Sequence, residues 1–124
     1  MARSLDLAAD EATDRLTANG LALRLESDDL YRAASALFGT RNLDLRHRIP
    51  CGRAVESATV RLPVGDWFTI AESAKAEAEA ARDDDRDATA RRYDDLRLAI
   101  AGELALTDDC FDDYAAETFE AVTA

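Results

Sequence analysis

The residue types best suited to covalent chemistry lie in one short segment of the chain. His47 is the single histidine, and Cys51 follows four positions later. A thiol beside an imidazole is the pairing that a cysteine nucleophile uses, because the base removes the thiol proton. The alternative is a loop thiol beside a half-buried ring. One histidine cannot build a histidine-rich zinc site within one chain. We therefore expect Cys51 to be a loop thiol without a catalytic role, and we expect the protein to bind no metal and no cofactor.

Paired aspartates form a second group of candidates for chemistry. Carboxylate pairs can bind Mg²⁺ or Ca²⁺, but none of these pairs has the glycine and glutamate spacing of an EF-hand loop. Side chains at adjacent helical positions point about 100° apart, so most pairs cannot hold one ion. Asp109 and Asp113 share a helical face. We interpret the set as a solvated acidic surface: Asp83 to Asp87, Asp94–Asp95, Asp108–Asp109 and Asp112–Asp113.

The overall charge is strongly acidic and unevenly composed. The chain has 26 acids against 15 bases and a formal charge of −11; fourteen of the bases are arginine and seventeen of the acids are aspartate. Short hydrated carboxylates keep a surface solvated where salt screens charge repulsion. This composition is typical of salt-adapted, haloarchaeal proteins and predicts the environment, not the activity. The alternative is an acidic interaction protein from a high-GC mesophile.

The length of 124 residues fits one domain with a core of its own. The N-terminal residues do not have the apolar stretch of a signal peptide, and no apolar run approaches the roughly twenty residues that cross a bilayer. We therefore expect a cytoplasmic protein without a structural disulfide. Cys51 and Cys110 are expected to be isolated thiols, with Cys110 partly in the core.

One segment departs from the acidic background. Residues 41–65 hold five arginines against two acids, whereas residues 66–124 hold seventeen acids against six bases. This basic segment could pair with the acidic helices or with a second copy, bind another acidic protein, or bind RNA phosphates through bidentate arginine contacts. High salt weakens phosphate binding steeply, which disfavours RNA. The candidate ligand- or partner-binding residues are Arg41, Arg46, Arg48, Arg53, Arg61 and the aromatic anchor Trp67.

Within the basic segment, Arg41 and His47 are separated by five residues, Asn42-Leu43-Asp44-Leu45-Arg46. This spacing resembles the arginine–histidine motif of HEPN-type ribonucleases. The resemblance implies a helical, dimeric protein with Arg41 and His47 as catalytic residues in a cleft at the dimer interface. The family places the motif at the start of a late helix, whereas here it lies early, in a stretch with the alternation of a strand.

Hydrophobic spacing predicts helices over most of the chain. One is expected at residues 4–19, before Gly20, and another from Ser27 to Gly39, with its stripe at Leu30, Ala33, Ala34, Leu37 and Phe38. Asp66 is expected to cap a helix starting at Trp67, and a break at 83–85 precedes a helix over 86–105. Their inward residues are Ile70, Ala71, Ala74, Ala78, Ala81, Tyr93, Leu96, Ile100 and Leu104.

The residues from Trp67 to Ala105 resemble the helical hairpins of TPR and MIT interaction modules, which implies an antiparallel helix pair. Trp67 and Phe68 are expected to anchor the core, with an exposed partner contact as the alternative. Thr107 is expected to cap the last helix, with a stripe at Phe111, Tyr114, Ala115, Thr118, Phe119 and Val122.

The remaining segments are ambiguous. Residues 21–25 alternate and could be a strand or a helix, and residues 43–49 have a strand pattern. For residues 53–62 we favour helix over strand. The prediction is an all-α domain, a bundle of five to six helices, with a small β-hairpin inserted around residues 43–62 as the alternative. For function we expect a non-enzymatic protein-interaction or regulatory module that forms a homodimer or binds a protein partner, and the alternative is an RNA-directed protein.

Overall fold

The computed structural model describes residues 20–51 and 55–123. The helix predicted for residues 4–19 and the candidate Arg53 lie outside them. The described part is mostly helical, which confirms the helical class. The elements in chain order are β1 (Leu21–Glu26), α1 (Ser27–Gly39), α2 (Leu43–Arg46), β2 (Ser57–Leu62), α3 (Val64–Asp83), α4 (Asp87–Thr107), a 3₁₀ turn (Asp109–Phe111) and α5 (Asp112–Thr123).

The two strands form one antiparallel sheet. β1 pairs with β2 in a register that runs from Leu21 opposite Leu62 to Glu26 opposite Ser57. The strand alternative for residues 21–25 is therefore the observed one, and the preferred helix over 53–62 is wrong. The hairpin alternative within 43–62 is also wrong, because the partner of β2 comes from before α1. Burial alternates along β2 as expected for a strand: Val60 and Leu62 are buried, whereas Thr59 and Arg61 are exposed.

Helix α1 has the predicted bounds, and it ends in a Schellman motif. The Asn42 amide donates to the Leu37 carbonyl and the Arg41 amide donates to the Phe38 carbonyl. The strand predicted for residues 43–49 is wrong: the chain forms the single-turn helix α2, closed by the His47 amide on the Leu43 carbonyl. The alternation of Leu43 and Leu45 does not mark a sheet face, since Leu43 is 47% exposed.

Helices α3 and α4 form an antiparallel pair at the centre of the core. The predicted alanine stripe of α3 and the large residues of α4 are buried as expected, and small side chains allow the two helices to approach closely. Helix α3 begins at Val64, before the predicted start at Trp67, because Pro63 takes the N-cap position and Asp66 falls in the first turn. The acidic break ends α3, with Asp85 in the left-handed region at φ 59.

The C-terminal segment is helical as predicted but differs from its predicted pattern at its start and at two side chains. Thr107 is the last residue of α4, and the Asp108 carboxylate caps the 3₁₀ turn by accepting from the Cys110 amide. Phe119, predicted to be buried, is 58% exposed, and Cys110, predicted to lie partly in the core, is exposed. Thr118 is the buried residue of α5, and Phe111 and Tyr114 of the predicted stripe are partly buried against the core. Among the described residues, no helix is both long and apolar enough to span a membrane.

Candidate partner-binding surface

Two aromatic side chains project from the outer surface of α1. Tyr31 is 66% exposed and Phe38 is 63% exposed. They lie seven residues apart, which is close to two helical turns, so both are on the same face. Ala34 and Ser35 lie between them and form the floor of a shallow hollow of about 230 Å³. We call these four residues the α1 face.

The short helix α2 adds an arginine to the edge of the α1 face. The Arg46 guanidinium carbon lies 5.7 Å from the centre of the Phe38 ring, within range of a cation–π contact. Its Nε is buried without a hydrogen-bond partner among the described residues. Leu43, on the same short helix, is half exposed. Arg46 is therefore held in place by an aromatic ring rather than by a carboxylate.

A small polar network fixes the corner between α1 and α2. The Thr40 and Ser73 hydroxyl oxygens lie 2.8 Å apart, and the side-chain amide of Asn42 donates to Thr40 Oγ1 at 2.8 Å. Ser73 is buried on α3, so this network ties the end of α1 to the core. A corner held in this way presents the arginines that follow it in one geometry, which lowers the entropy lost when a partner binds.

Arg41 occupies an unusual backbone position beside the α1 face. Its φ is 64, in the left-handed region where glycine is the preferred residue at a helix end. A non-glycine residue there costs about 1–2 kcal/mol. The exposed Arg41 side chain makes no ion pair with the described residues. The chain thus keeps an arginine where the backbone prefers glycine.

The two ends of the α1 face have opposite charges. Asp28 lies three residues before Tyr31, on the same face, with its side chain 77% exposed and 3.8 Å from Arg92. Burial raises the pKa of the adjacent Asp29. Arg41 and Arg46 lie at the other end. The face is therefore acidic where α1 begins and basic where it ends.

The other candidates of the basic segment lie elsewhere. His47, Arg48 and Arg61 line a separate open hollow beside β2, and Arg41 is not among the residues that line it. Arg48 pairs with Asp66 at 3.4 Å, and Arg61 donates to the Gly20 carbonyl at 3.4 Å. The ion pair of Arg48 joins the basic segment to the acidic helix α3.

Trp67 lies in the core rather than on a surface. It is fully buried, and its indole N–H donates to the Leu21 carbonyl at 2.7 Å, joining α3 to β1. The expected core anchor is thus observed for Trp67, and the alternative of an exposed partner contact at Trp67 is wrong. His47 and Cys51 line different hollows, and Cys51 borders the one on the α1 face. No group of three or more metal-binding side chains occurs within the described ranges.

The α1 face was not predicted, because Phe38 was expected in the buried stripe and Tyr31 was not among the candidate residues. A signal was present: Tyr31 and Phe38 each follow a core leucine directly, so both are displaced about 100° from the stripe in the same direction. Comparison of the chain with protein-family models, curated proteins and solved structures found no match. The class of protein is defined here by its own features, a small α-helical fold with a two-stranded sheet and an exposed aromatic–arginine surface.

Proposed function

We propose that this chain is a non-enzymatic protein-interaction module, a helical bundle that forms a homodimer through the α1 face. The observation that carries the proposal is the exposure of Tyr31 and Phe38 on one helical face that is acidic at one end and basic at the other. Aromatic residues and arginine dominate the energetics of protein interfaces when they become buried. The strongly acidic remainder of the surface supports a salt-adapted cytoplasmic setting.

The order of residues along α1 makes the face complementary to itself. When two copies of α1 pack antiparallel about an axis between Ala34 and Ser35, Tyr31 of one copy lies level with Phe38 of the second copy. The same register brings Asp28 level with Arg41 of the second copy. Small side chains at the axis let the helices approach closely, and one two-fold axis closes the assembly at two copies.

The energetics favour such a dimer at high salt. The two aromatic pairs at the centre of the interface would be removed from water. Salts that are excluded from protein surfaces strengthen such apolar burial. The paired charges at the rim are screened, so they set the register more than the affinity. Arg46 is already ordered over Phe38, which reduces the entropy lost on association.

Disulfide trapping at the proposed axis tests the dimer. In a Cys51→Ser, Cys110→Ser background, Ser35→Cys should form a covalent dimer on mild oxidation, because a disulfide requires Cα atoms about 4–7 Å apart. Ala99→Cys, at an exposed position of α4, is the matched control and should remain monomeric on non-reducing electrophoresis. Equal trapping at both positions, or none at Ser35→Cys, would contradict pairing through α1.

One observation favours a second candidate function. His47, Arg48 and Arg61 line one open hollow, an arrangement that suits a phosphate group of single-stranded RNA. An RNA-directed protein would bind RNA at reduced salt and lose the binding in Arg48→Glu, whereas Tyr31→Ala would leave it intact. A HEPN-like activity would in addition be abolished by Arg41→Ala and by His47→Ala. Unchanged RNA cleavage in both alanine variants would exclude that mechanism.

A further inference from the structure

A narrow cavity lies between α3, α4 and α5, and it shares no lining residue with the hollow on the α1 face. Its volume is about 110 Å³, and four of its lining residues are charged: Glu72, Lys75, Arg97 and Glu117. Tyr114 and Thr118 add hydroxyl groups from α5. A cavity holds one water in roughly 10–15 Å³, so this one has room for a molecule of several heavy atoms.

Arg97 is the buried charge of this cavity. Its side chain is 7% exposed, and its Nε lies 3.2 Å from Asp94 Oδ1 without the alignment of a hydrogen bond. Asp94 Oδ2 already accepts from Arg82, so two guanidinium groups share one buried carboxylate. Arg97 Nε is therefore a buried donor without a hydrogen-bond acceptor among the described residues. Leaving a buried donor without an acceptor is costly, so the Arg97 guanidinium favours an incoming carboxylate.

The remaining charges of the cavity determine which carboxylate compounds fit. A simple anion would also meet Glu72 and Glu117, and a simple cation would meet Arg97. Lys75 offsets one of the two glutamates, so the four charged lining residues sum to zero. A molecule with one negative and one positive group can pair its negative group with Arg97 and its positive group with the glutamates. Burial lowers the pKa of Arg97 and, together with Glu72, raises the pKa of Tyr114.

We propose that this cavity binds a small zwitterion of the α-amino acid class. The ligand carboxylate accepts from the Arg97 guanidinium, and its ammonium group donates to Glu72 and Glu117. The two charged groups of an α-amino acid are a few ångströms apart, which matches a cavity of this size. The site does not involve the α1 face, so it is independent of the proposed dimer.

Calorimetric titration with glycine, L-alanine and L-serine tests the proposal, with acetate and methylammonium as the two half-ligands. We expect saturable binding of at least one amino acid and at least tenfold weaker binding of each half-ligand. Glu117→Gln should weaken amino-acid binding roughly tenfold, which corresponds to about 1.4 kcal/mol of binding free energy. Glu120→Gln is the matched control, because it changes an exposed glutamate of the same helix that does not line the cavity.

Three outcomes would overturn the proposal. The first is no saturable binding of any of the three amino acids. The second is equal affinity for acetate and glycine, which would define a simple anion site. The third is equal binding by Glu117→Gln and Glu120→Gln. Thermal unfolding of both variants without ligand shows that neither substitution acts by unfolding the protein.

Discussion

Two groups of aromatic residues in this protein differ in whether their rings are packed or exposed. Phe68 of α3 packs against Tyr114 of α5 with ring centroids 5.0 Å apart, and Phe111 lies 6.3 Å from Phe68 and 6.4 Å from Tyr114. On α1, Tyr31 and Phe38 remain exposed, and the ring contact of Phe38 is with Arg46. Both groups come from amphipathic helices with the same periodicity.

The difference is whether a second helix lies opposite. The ring cluster of α3 and α5 is closed within the chain, where tilted and edge-to-face pairs add roughly 0.5–1.5 kcal/mol beyond area burial. The α1 face has no described element over it, and it holds two of the eight aromatic residues of the chain. The first group should therefore act on stability and the second on association.

The largest effect on stability is expected in the closed group. Phe68→Ala removes a half-buried ring that contacts two others, and it should lower the free energy of unfolding by about 2–4 kcal/mol, somewhat less than a fully buried phenylalanine. Urea unfolding followed by far-UV circular dichroism measures this change. A loss below about 1 kcal/mol would mean that the ring cluster does not hold α5 on the core.

The exposed group should respond in the opposite way. Phe38→Ala should raise the dimer dissociation constant by about thirtyfold or more, the effect of a hot-spot residue worth about 2 kcal/mol. The free energy of unfolding of the monomer should change by less than about 1 kcal/mol, since the ring is already exposed. Sedimentation equilibrium and urea unfolding separate the two quantities. A large loss of monomer stability with unchanged association would reverse the comparison.

Arg41 offers a trade between stability and association. Arg41→Gly relieves the left-handed backbone at the end of α1 and should stabilise the monomer by about 1 kcal/mol while weakening the dimer. Asp85→Gly is the matched control, because Asp85 occupies the same position of a second Schellman motif, at the end of α3. It should give a similar gain in stability with unchanged association. Equal effects of the two variants on dimerisation would remove Arg41 from the interface.

The smallest expected effect is a pH dependence in the closed group. Burial, followed by the charge of Glu72, raises the pKa of Tyr114 above its ordinary value of 10.0. The unfolded chain therefore loses this proton first, and the folded state loses stability as pH rises from 10.0 through the folded-state pKa. Tyr114→Phe should show a shallower alkaline decline in urea unfolding, whereas Tyr31→Phe, at an exposed site, should follow the wild type. Parallel declines in all three proteins would contradict the burial of the phenol.

The helical part of the fold could be predicted from the sequence because its periodicity is strong. The bounds of α1 and the inward residues of α3 and α4 follow from spacing, the acidic break and glycine. The β2 strand was missed because Val55, Ala58, Thr59 and Leu62 fit one helical face, although residues 58–62 also alternate. The strand partner of β2 lies more than thirty residues earlier. Local patterns do not contain such distant pairing.

The site was only partly predictable, for a related reason. The arginines stand out from the acidic background, so Arg41 and Arg46 were found by charge alone. The displacement of Tyr31 and Phe38 from the core stripe was a signal, but a hydrophobic pattern does not show which neighbour covers a given face of a helix. Phe119 of α5 is 58% exposed for the same reason, since spacing alone does not show whether another element covers that face.

The central claim is that two copies of α1 pair antiparallel, with Asp28 beside Arg41 of the second copy. A charge-reversal cycle measured by sedimentation equilibrium tests it most directly. Asp28→Arg and Arg41→Asp should each weaken the dimer, and the double variant should recover most of the loss, with a coupling energy of about 0.5–1.5 kcal/mol. Asp83→Arg combined with Arg41→Asp is the matched control and should show no recovery. Additive losses in the first pair, or a wild-type protein that stays monomeric at high salt, would contradict the account.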